Sequence, residues 1–463
     1  MRSDRLLLSL VALLVACPTA GDDDDAVVPD DDDTPDFGDD DDSGDDDDAT
    51  PAPIESLDDV LAVLETSGDA AEVDALLHEV AWRWSWPLED GGRWLFATRW
   101  EGAESLSVAG DINAWDPTAT PGTAAATGVH WYAVVQGSDF DVPAQGAKYK
   151  WTDGSAWGAP RATAYGYDEN GLFGWVVPPS DRAWLERFPD LTTSALPLPR
   201  AVRVLLPAGF STASAGSART LLMHDGQNLV NPEASYGGWE MDALLAADPA
   251  YDDVVLVAVD NSADRLDVYS PVQDAPFEGN PAVYGGRADE YLDLLDENVL
   301  PFVRERYGIV ADGPSLMVAG SSMGGLVSLY IAQQWDGGFG CVGALSPTLS
   351  FGAFVADGTE ALVNTWPVAP GHGSIPVFLY NGGDDFPGCA DHDGDGVQEL
   401  TGGPDNYCVT TQFRDMLAAQ GYAFEDDLWH WWEPNAPHLE PSWRAQVPRM
   451  LESCAASGWS APQ

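Results

Sequence analysis

Gly320-Ser321-Ser322-Met323-Gly324 follows four apolar residues, Leu316 to Ala319, and precedes Leu326, Leu329 and Tyr330 at helical spacing. That pattern predicts a buried strand, a sharp turn and a helix, a setting that presents a serine hydroxyl for nucleophilic attack. The glycines leave room for the bend, so the Ser322 hydroxyl is expected to stand exposed at the helix start. A serine hydroxyl is a poor nucleophile at neutral pH; it needs a base, and the base needs an orienting acid. After this kind of turn the chain order is serine, acid, histidine. Three histidines are candidates for the base: His392, His430 and His438. His392 sits in an Asp-rich stretch and His430 inside the strand-like run Leu428–Trp432. His438 comes just past that run, after Pro434-Asn435-Ala436-Pro437, and is the base of choice. The acid is expected after the apolar run Val377–Tyr380, where the chain reads Asn381-Gly382-Gly383-Asp384-Asp385. Asp385 is the first choice, Asp384 the alternate and Asp391 the third. A developing oxyanion needs two backbone N–H groups. Met323, directly after the serine, and Gln227, in the loop His224-Asp225-Gly226-Gln227-Asn228, are the expected donors.

These residues need a frame. From Arg200 onward, strand-like runs alternate with helical stretches: Val202–Leu206, Thr220–Met223, Val254–Val259, Leu316–Ala319, Val342–Leu345, Val377–Tyr380 and Leu428–Trp432. Asp289 to Val303 is a clear amphipathic helix among them. Such alternation implies a mainly parallel sheet covered on both faces. With the serine turn it predicts an α/β class chain whose residues 199–456 form an α/β-hydrolase sandwich, followed by a tail at 457–463. Upstream, Leu57, Val60, Leu61 and Leu64, then Val73, Leu76, Leu77 and Val80, fall at helical spacing and predict a helical hairpin over 55–88. Ser56 and Asp59 suit its N-cap. Short β runs at Trp94–Thr98, Ser105–Ala109 and His130–Val135, bounded by Gly, Asp and Pro, predict a small all-β sandwich over 89–180. Residues 181–198, which contain proline, read as a linker.

The formal net charge is −56 over 463 residues, with Lys148 and Lys150 the only lysines. A surface this acidic repels phosphate backbones, which excludes nucleic-acid binding. Arg2 and Arg5 precede an apolar run, Leu6 to Val15, that is too short to span a bilayer as a permanent helix. It reads as an export signal over residues 1–17. The run ends in Leu14-Val15-Ala16-Cys17, which resembles the bacterial lipobox. That resemblance implies diacylation of Cys17 and an exported, membrane-anchored lipoprotein, outer-membrane, periplasmic or surface-facing. Residues 18–54 hold four Asp tetrads among Gly, Pro, Thr and Ser, and predict a disordered, solvated tether. The other cysteines are Cys341, Cys389, Cys408 and Cys454. In an exported chain they suggest two disulfides. Cys389 and Cys408 bracket one hydrophilic loop, and Cys341–Cys454 follows by elimination.

Within that bracket, Asp391, Asp393, Asp395 and Glu399 take positions one, three, five and nine of a calcium-type loop, with Gly396 at six. Position twelve is Gly402, so the bidentate glutamate of an EF-hand is missing. A structural Ca²⁺ and a plain solvated loop both remain open. No cofactor is expected for catalysis.

Two resemblances follow. Val108 to Pro117, with Gly110-Asp111-Ile112-Asn113-Ala114-Trp115, and Tyr149 to Trp157 resemble family 48 glucan-binding modules and related early-set, immunoglobulin-like domains. In binding members, residues matching Trp115 and Trp157 stack on sugars and one matching Lys150 donates hydrogen bonds. Phe173-Gly174-Trp175 departs from that pattern, standing where the glucan binders carry an asparagine. A packing domain beside the site is the competing reading. Residues 200–452 resemble the esterase family that includes enterochelin, feruloyl and acetyl-xylan esterases, S-formylglutathione hydrolase and mycobacterial mycolyltransferases. The matching blocks are Met223–Asn228, Val257-Ala258-Val259-Asp260-Asn261, the serine turn with Gly325, Ala344-Leu345-Ser346-Pro347, and Pro437-His438 followed by Trp443. The resemblance implies hydrolysis of a small-molecule or polysaccharide-linked ester through an acyl-enzyme. The alternative is a non-catalytic glycan-binding surface lipoprotein with a vestigial hydrolase domain. Oligomeric state is not readable from the sequence.

Overall fold

The computed structural model describes residues 54–140, 145–232, 234, 237–277, 280–335, 338–366, 375–384, 388–400 and 405–462. The expected signal, Cys17 and all but the last residue of the tether lie outside them.

The first elements among the described residues form a helical hairpin, Leu57–Thr66 and Ala70–Arg83. Ser56 and Asp59 form a reciprocal capping box, which satisfies N–H groups that the first turn leaves unpaired. The hairpin buries Leu57, Val60, Leu64, Val73, Leu77 and Val80 with Trp86 and Leu95. Trp82 ties it to the rest: its indole N–H donates to the Pro189 carbonyl at 3.0 Å, and its ring packs at 4.6 Å from Phe302.

The all-β region is a sandwich. Arg93–Arg99 and His130–Gln136 pair antiparallel in a four-stranded sheet. Ser107–Gly110, Lys148–Thr152, Gly171–Trp175 and Ala164–Asp168 lie on the facing one. Between them Phe96, Val108, Trp131, Tyr149 and Trp151 make the core, with Phe96 edge-on to Tyr149.

The expected linker at 181–198 instead contains a strand of eight residues. Trp184–Leu191 (β1) is buried on both faces: Leu185 enters the core that includes Tyr165, and Phe188 the core that includes Val202. It pairs on one side with Ala164–Asp168 and on the other with Arg200–Leu206 (β2). Pro189 lacks an N–H and coincides with a register shift between Phe188 and Leu191, so the proline marks a bulge rather than a linker. Through β1, one thirteen-stranded sheet runs across both regions.

The hydrolase part continues with Arg219–His224 (β3), Val254–Val259 (β4), Gly313–Ser321 (β5), Phe339–Leu345 (β6), Val377–Asn381 (β7) and Leu428–Trp432 (β8). Their order is β1-β2-β4-β3-β5-β6-β7-β8. The β1–β2 and β2–β4 pairs are antiparallel, and the rest are parallel. The central strands are apolar throughout because helices cover both faces. This is the α/β-hydrolase order, and the residues that follow β3, β5, β7 and β8 meet at the carboxyl end of the sheet. The helix expected over Asp289–Val303 runs from Ala288 to Tyr307 with a π turn at Leu294–Val299. Pro301, just past that turn, cannot donate a backbone bond, which suits a local widening.

Cys341 on β6 is bonded to Cys454 on the helix Val447–Ser457, and Cys389 to Cys408. The residues expected to be a tail do not behave as one. Trp459 is buried and its indole N–H donates to Ser315 and Thr220 carbonyls at 3.1 and 3.3 Å.

Candidate active site

Ser322 sits between β5 and the helix Met323–Gln334 with φ 56° and ψ −124°, a conformation that costs energy for any residue with a Cβ. The surroundings hold it there. Its N–H donates to the Leu345 carbonyl at 3.0 Å, and its carbonyl accepts from Thr348 at 3.1 Å. A Cβ on Gly320 would lie 2.5 Å from the Gly324 carbonyl oxygen, so the turn requires glycine there. Contrary to the expectation of exposure, Ser322 is only 5% exposed. Its hydroxyl lies 2.9 Å from His438 Nε2 and 3.4 Å from Thr348 Oγ1.

His438 follows β8 and is edge-on to Trp443 at 4.9 Å. Its Nδ1 is hydrogen-bonded to Asp405 Oδ1. The acid expected from the sequence was Asp385, with Asp384 and Asp391 behind it; the carboxylate on the histidine is none of these. Asp385 lies outside the described residues, Asp391 belongs to the acidic loop, and Asp405 occupies the position. The second oxygen of Asp405 accepts from Ser346 Oγ at 2.8 Å and from the backbone N–H of Gly382. Ser346 accepts in turn from the Trp443 indole at 3.0 Å. Asp405 and Asn406 both have positive φ, 72° and 47°, and Asn406 donates to the Ser346 carbonyl. The pair enters the helix Tyr407–Ala419, whose second residue, Cys408, is held by its disulfide. The acid therefore lies inside the Cys389–Cys408 bracket, past the acidic loop, rather than ahead of the bracket. Pro404-Asp405-Asn406 directly ahead of an amphipathic run was the available signal.

The other histidines are engaged elsewhere. His430 lies between Asn381, 2.7 Å away, and Arg414, 3.1 Å away, and burial pulls its pKa down to about 4. The neutral ring accepts a hydrogen bond from Arg414 on Nδ1 and donates from Nε2 to Asn381, a structural role. His392 is exposed in the acidic loop.

The loop after β3 is polar, and most of its side chains are hydrogen-bonded. Burial also lowers His224 to about pKa 4, and its Nδ1 is 2.9 Å from Tyr291 Oη. Asp225, at φ 58°, accepts from Arg265 at 2.7 and 2.9 Å and from Asn261 at 2.6 Å. Burial works against its charge, but Arg265 and Asn261 outweigh it and hold the carboxyl below the usual range. Gln227 lies in the turn Gly226–Asn228, its side-chain oxygen accepting from the Asn261 N–H at 3.1 Å. Met323 is the first residue of its helix, where the N–H has no intrahelical acceptor. Asp225 Oδ2 would be 3.1 Å from a Cβ on Gly324, so this loop lies directly against the serine turn.

Asp391, Asp393, Asp395 and Glu399 each offer an oxygen within 4.8 Å of the others. Backbone N–H groups of Gly394 and Gly396 already donate to Asp391, and that of Val397 to Asp395. In the β region Trp115 and Trp157 lie 6.3 Å apart, and Trp157 is 44% exposed. Lys150 is buried and donates to the Asn170 carbonyl at 2.5 Å.

The model of the family described as "Putative esterase" matches residues 193–458, more than half of the chain. The chain belongs to that family, and with it to the carboxylic ester hydrolases. Among solved structures it is similar to a ferulic acid esterase, at 16% identity and TM-score 0.41, over 59% of this chain and 98% of that one. It is also similar to the enterobactin esterase FES from Shigella flexneri, at 14% identity and TM-score 0.39, over 84% and 99%. The Bacillus subtilis uncharacterized protein YbbA is 24% identical over 147 residues, 32% of this chain and 56% of that protein.

Proposed function

We propose that the chain is an exported serine carboxylesterase in which Ser322, His438 and Asp405 form the catalytic triad. The observation that carries the reading is the unbroken path from Ser322 Oγ through both nitrogens of His438 to Asp405. His438 Nε2 removes the Ser322 proton as Oγ attacks the ester carbonyl. Asp405 keeps the other proton on Nδ1 and stabilises the imidazolium. The oxyanion forms against the N–H groups of Met323 and Gln227. Collapse expels the alcohol, which takes its proton from Nε2, and leaves an acyl-enzyme. Water, deprotonated by the same nitrogen, releases the acid.

The substrate is assigned by class, an acyl or feruloyl group on a polysaccharide ahead of a catecholate siderophore, because an anionic substrate suits a chain of net charge −56 poorly. Trp115 and Trp157 would serve as the sugar platform. Two disulfides are consistent with export, and diacylated Cys17 would be the anchor; among the described residues no helix is long and apolar enough to cross a membrane. The test is an activity screen over nitrophenyl, feruloyl, acetyl-xylan and catecholate esters with wild type and Ser322→Ala. Turnover lost in Ser322→Ala supports the triad. Turnover retained within about tenfold rejects it.

A further inference from the structure

Glu440 is two residues past His438, only 5% exposed, and its Oε2 has no hydrogen-bond partner among the described residues. Nothing in the triad uses it. The charges that act on it are those of Asp225, His438 and Arg265, which face it from the loop after β3, from its own loop and from the helix Arg265–Val268. Asp225 is also the residue pressed against Gly324. Glu440 therefore lies near the loop that packs on the serine turn, and two residues from His438. The short helix it opens, Glu440–Arg444, is held from behind: Pro441 packs on Gly237, Trp443 on His438, and Arg444 pairs with Glu240 at 2.5 Å. A buried carboxyl oxygen with no donor is costly unless a ligand supplies one.

We propose that Glu440 is a specificity residue, its free oxygen receiving a substrate hydroxyl placed close to the scissile ester. The inference rests on ester hydrolysis at Ser322. A hydroxyl fits better than an ammonium because it can serve either protonation state of the carboxyl. That matters here: burial, with the Asp225 charge adding to it, pushes the Glu440 pKa up to about 7 against the pull of its own backbone N–H, His438 and Arg265. The ionised form makes the stronger bond.

The test is steady-state kinetics on two ester pairs, each differing by one hydroxyl. One pair is the p-nitrophenyl esters of butyric and 3-hydroxybutyric acid, the other the monoacetates of cyclohexanol and cis-cyclohexanediol. Wild type should favour the hydroxylated member of one pair by roughly 10- to 100-fold in kcat/KM, chiefly through KM. Glu440→Leu should erase that ratio, and Glu440→Gln should retain part of it. The wild-type preference should fade as pH falls through about 7 and be flat in Glu440→Gln. His438 serves both members of a pair and cancels in the ratio, while Asp225 and Arg265 remain paired with each other. Equal ratios in wild type and Glu440→Leu for both pairs would overturn the proposal, as would a wild-type ratio near one at all pH values. The wild-type pH series decides even if Glu440→Leu fails to fold. A wild type that cleaves no member of either pair rejects the ester-hydrolase reading of Ser322 itself, and this inference with it.

Discussion

Replacing Asp405 by Asn separates charge and tautomer from shape. The carboxylate now accepts three hydrogen bonds on two oxygens: His438 on one, Ser346 and the Gly382 N–H on the other. An asparagine offers one acceptor oxygen. Should that oxygen keep Ser346 and Gly382, the amide N–H groups face His438 Nδ1, which must then accept. The proton moves to Nε2, and the ring can no longer take one from Ser322, 2.9 Å away. Should the amide turn the other way, an N–H is buried against the Gly382 N–H, costing about 1–3 kcal/mol of stability. The first orientation is cheaper to fold and worse for catalysis. Loss of the correct tautomer lowers kcat by roughly 10²–10⁴, about 3–5 kcal/mol of transition-state stabilisation. The assay is kcat on p-nitrophenyl acetate, with melting curves to verify the fold. Asp384→Asn and Asp385→Asn are the controls and should stay within about threefold, well short of the loss of a triad member. If Asp405→Asn keeps activity within about tenfold while Asp385→Asn loses a hundredfold or more, the acid is Asp385 and the Asp405 reasoning fails.

Two further outcomes are expected. The Asp391–Glu399 carboxylates repel one another, and burial together with Asp393 and Asp391 raises the Asp395 pKa, so a cation there should stabilise the fold. Millimolar Ca²⁺ should raise Tm by a few degrees, as expected of sites with a Kd of about 10⁻⁴–10⁻³ M, with Mg²⁺ substituting poorly; identical melts in chelator and calcium leave a solvated loop only. Cys17→Ser should move the protein from the membrane to the soluble fraction with unchanged specific activity, and lipid labelling that persists in the mutant refutes anchoring at Cys17.

The hydrolase strands, the serine turn and the placement of His438 beside Ser322 were legible because each rests on local chemistry. Apolar runs, a glycine-flanked serine and a histidine just past the last strand are all short-range patterns. Asp405 was not legible for the opposite reason. Its place on His438 depends on the chain returning to β7 near the end of the loop that Cys389 and Cys408 close, a contact over 33 residues that the short Pro404-Asp405-Asn406 pattern alone does not encode. Glu440 was hidden differently: in sequence it reads as an ordinary first-turn acid, and only the packing of Pro441 and Trp443 shows that its carboxyl has lost water.

β1 alters what the N-terminal region can be. A tethered module joined by a loop would move independently of the hydrolase. Here Trp184–Leu191 is hydrogen-bonded to Ala164–Asp168 and to β2 at once, and Arg203 on β2 reaches back to the Tyr165 hydroxyl at 2.8 Å. Arg203 also holds Asp260, next to Asn261, and Asn261 holds both Asp225 and the Gln227 side chain. A continuous polar path therefore links the β sandwich to the loop assigned to the oxyanion. Separating the two regions would strip β1 of one partner and leave an open sheet edge next to β2, the strand that carries Arg203. The sandwich is thus part of the frame that holds Gln227 in place, whatever its tryptophans bind.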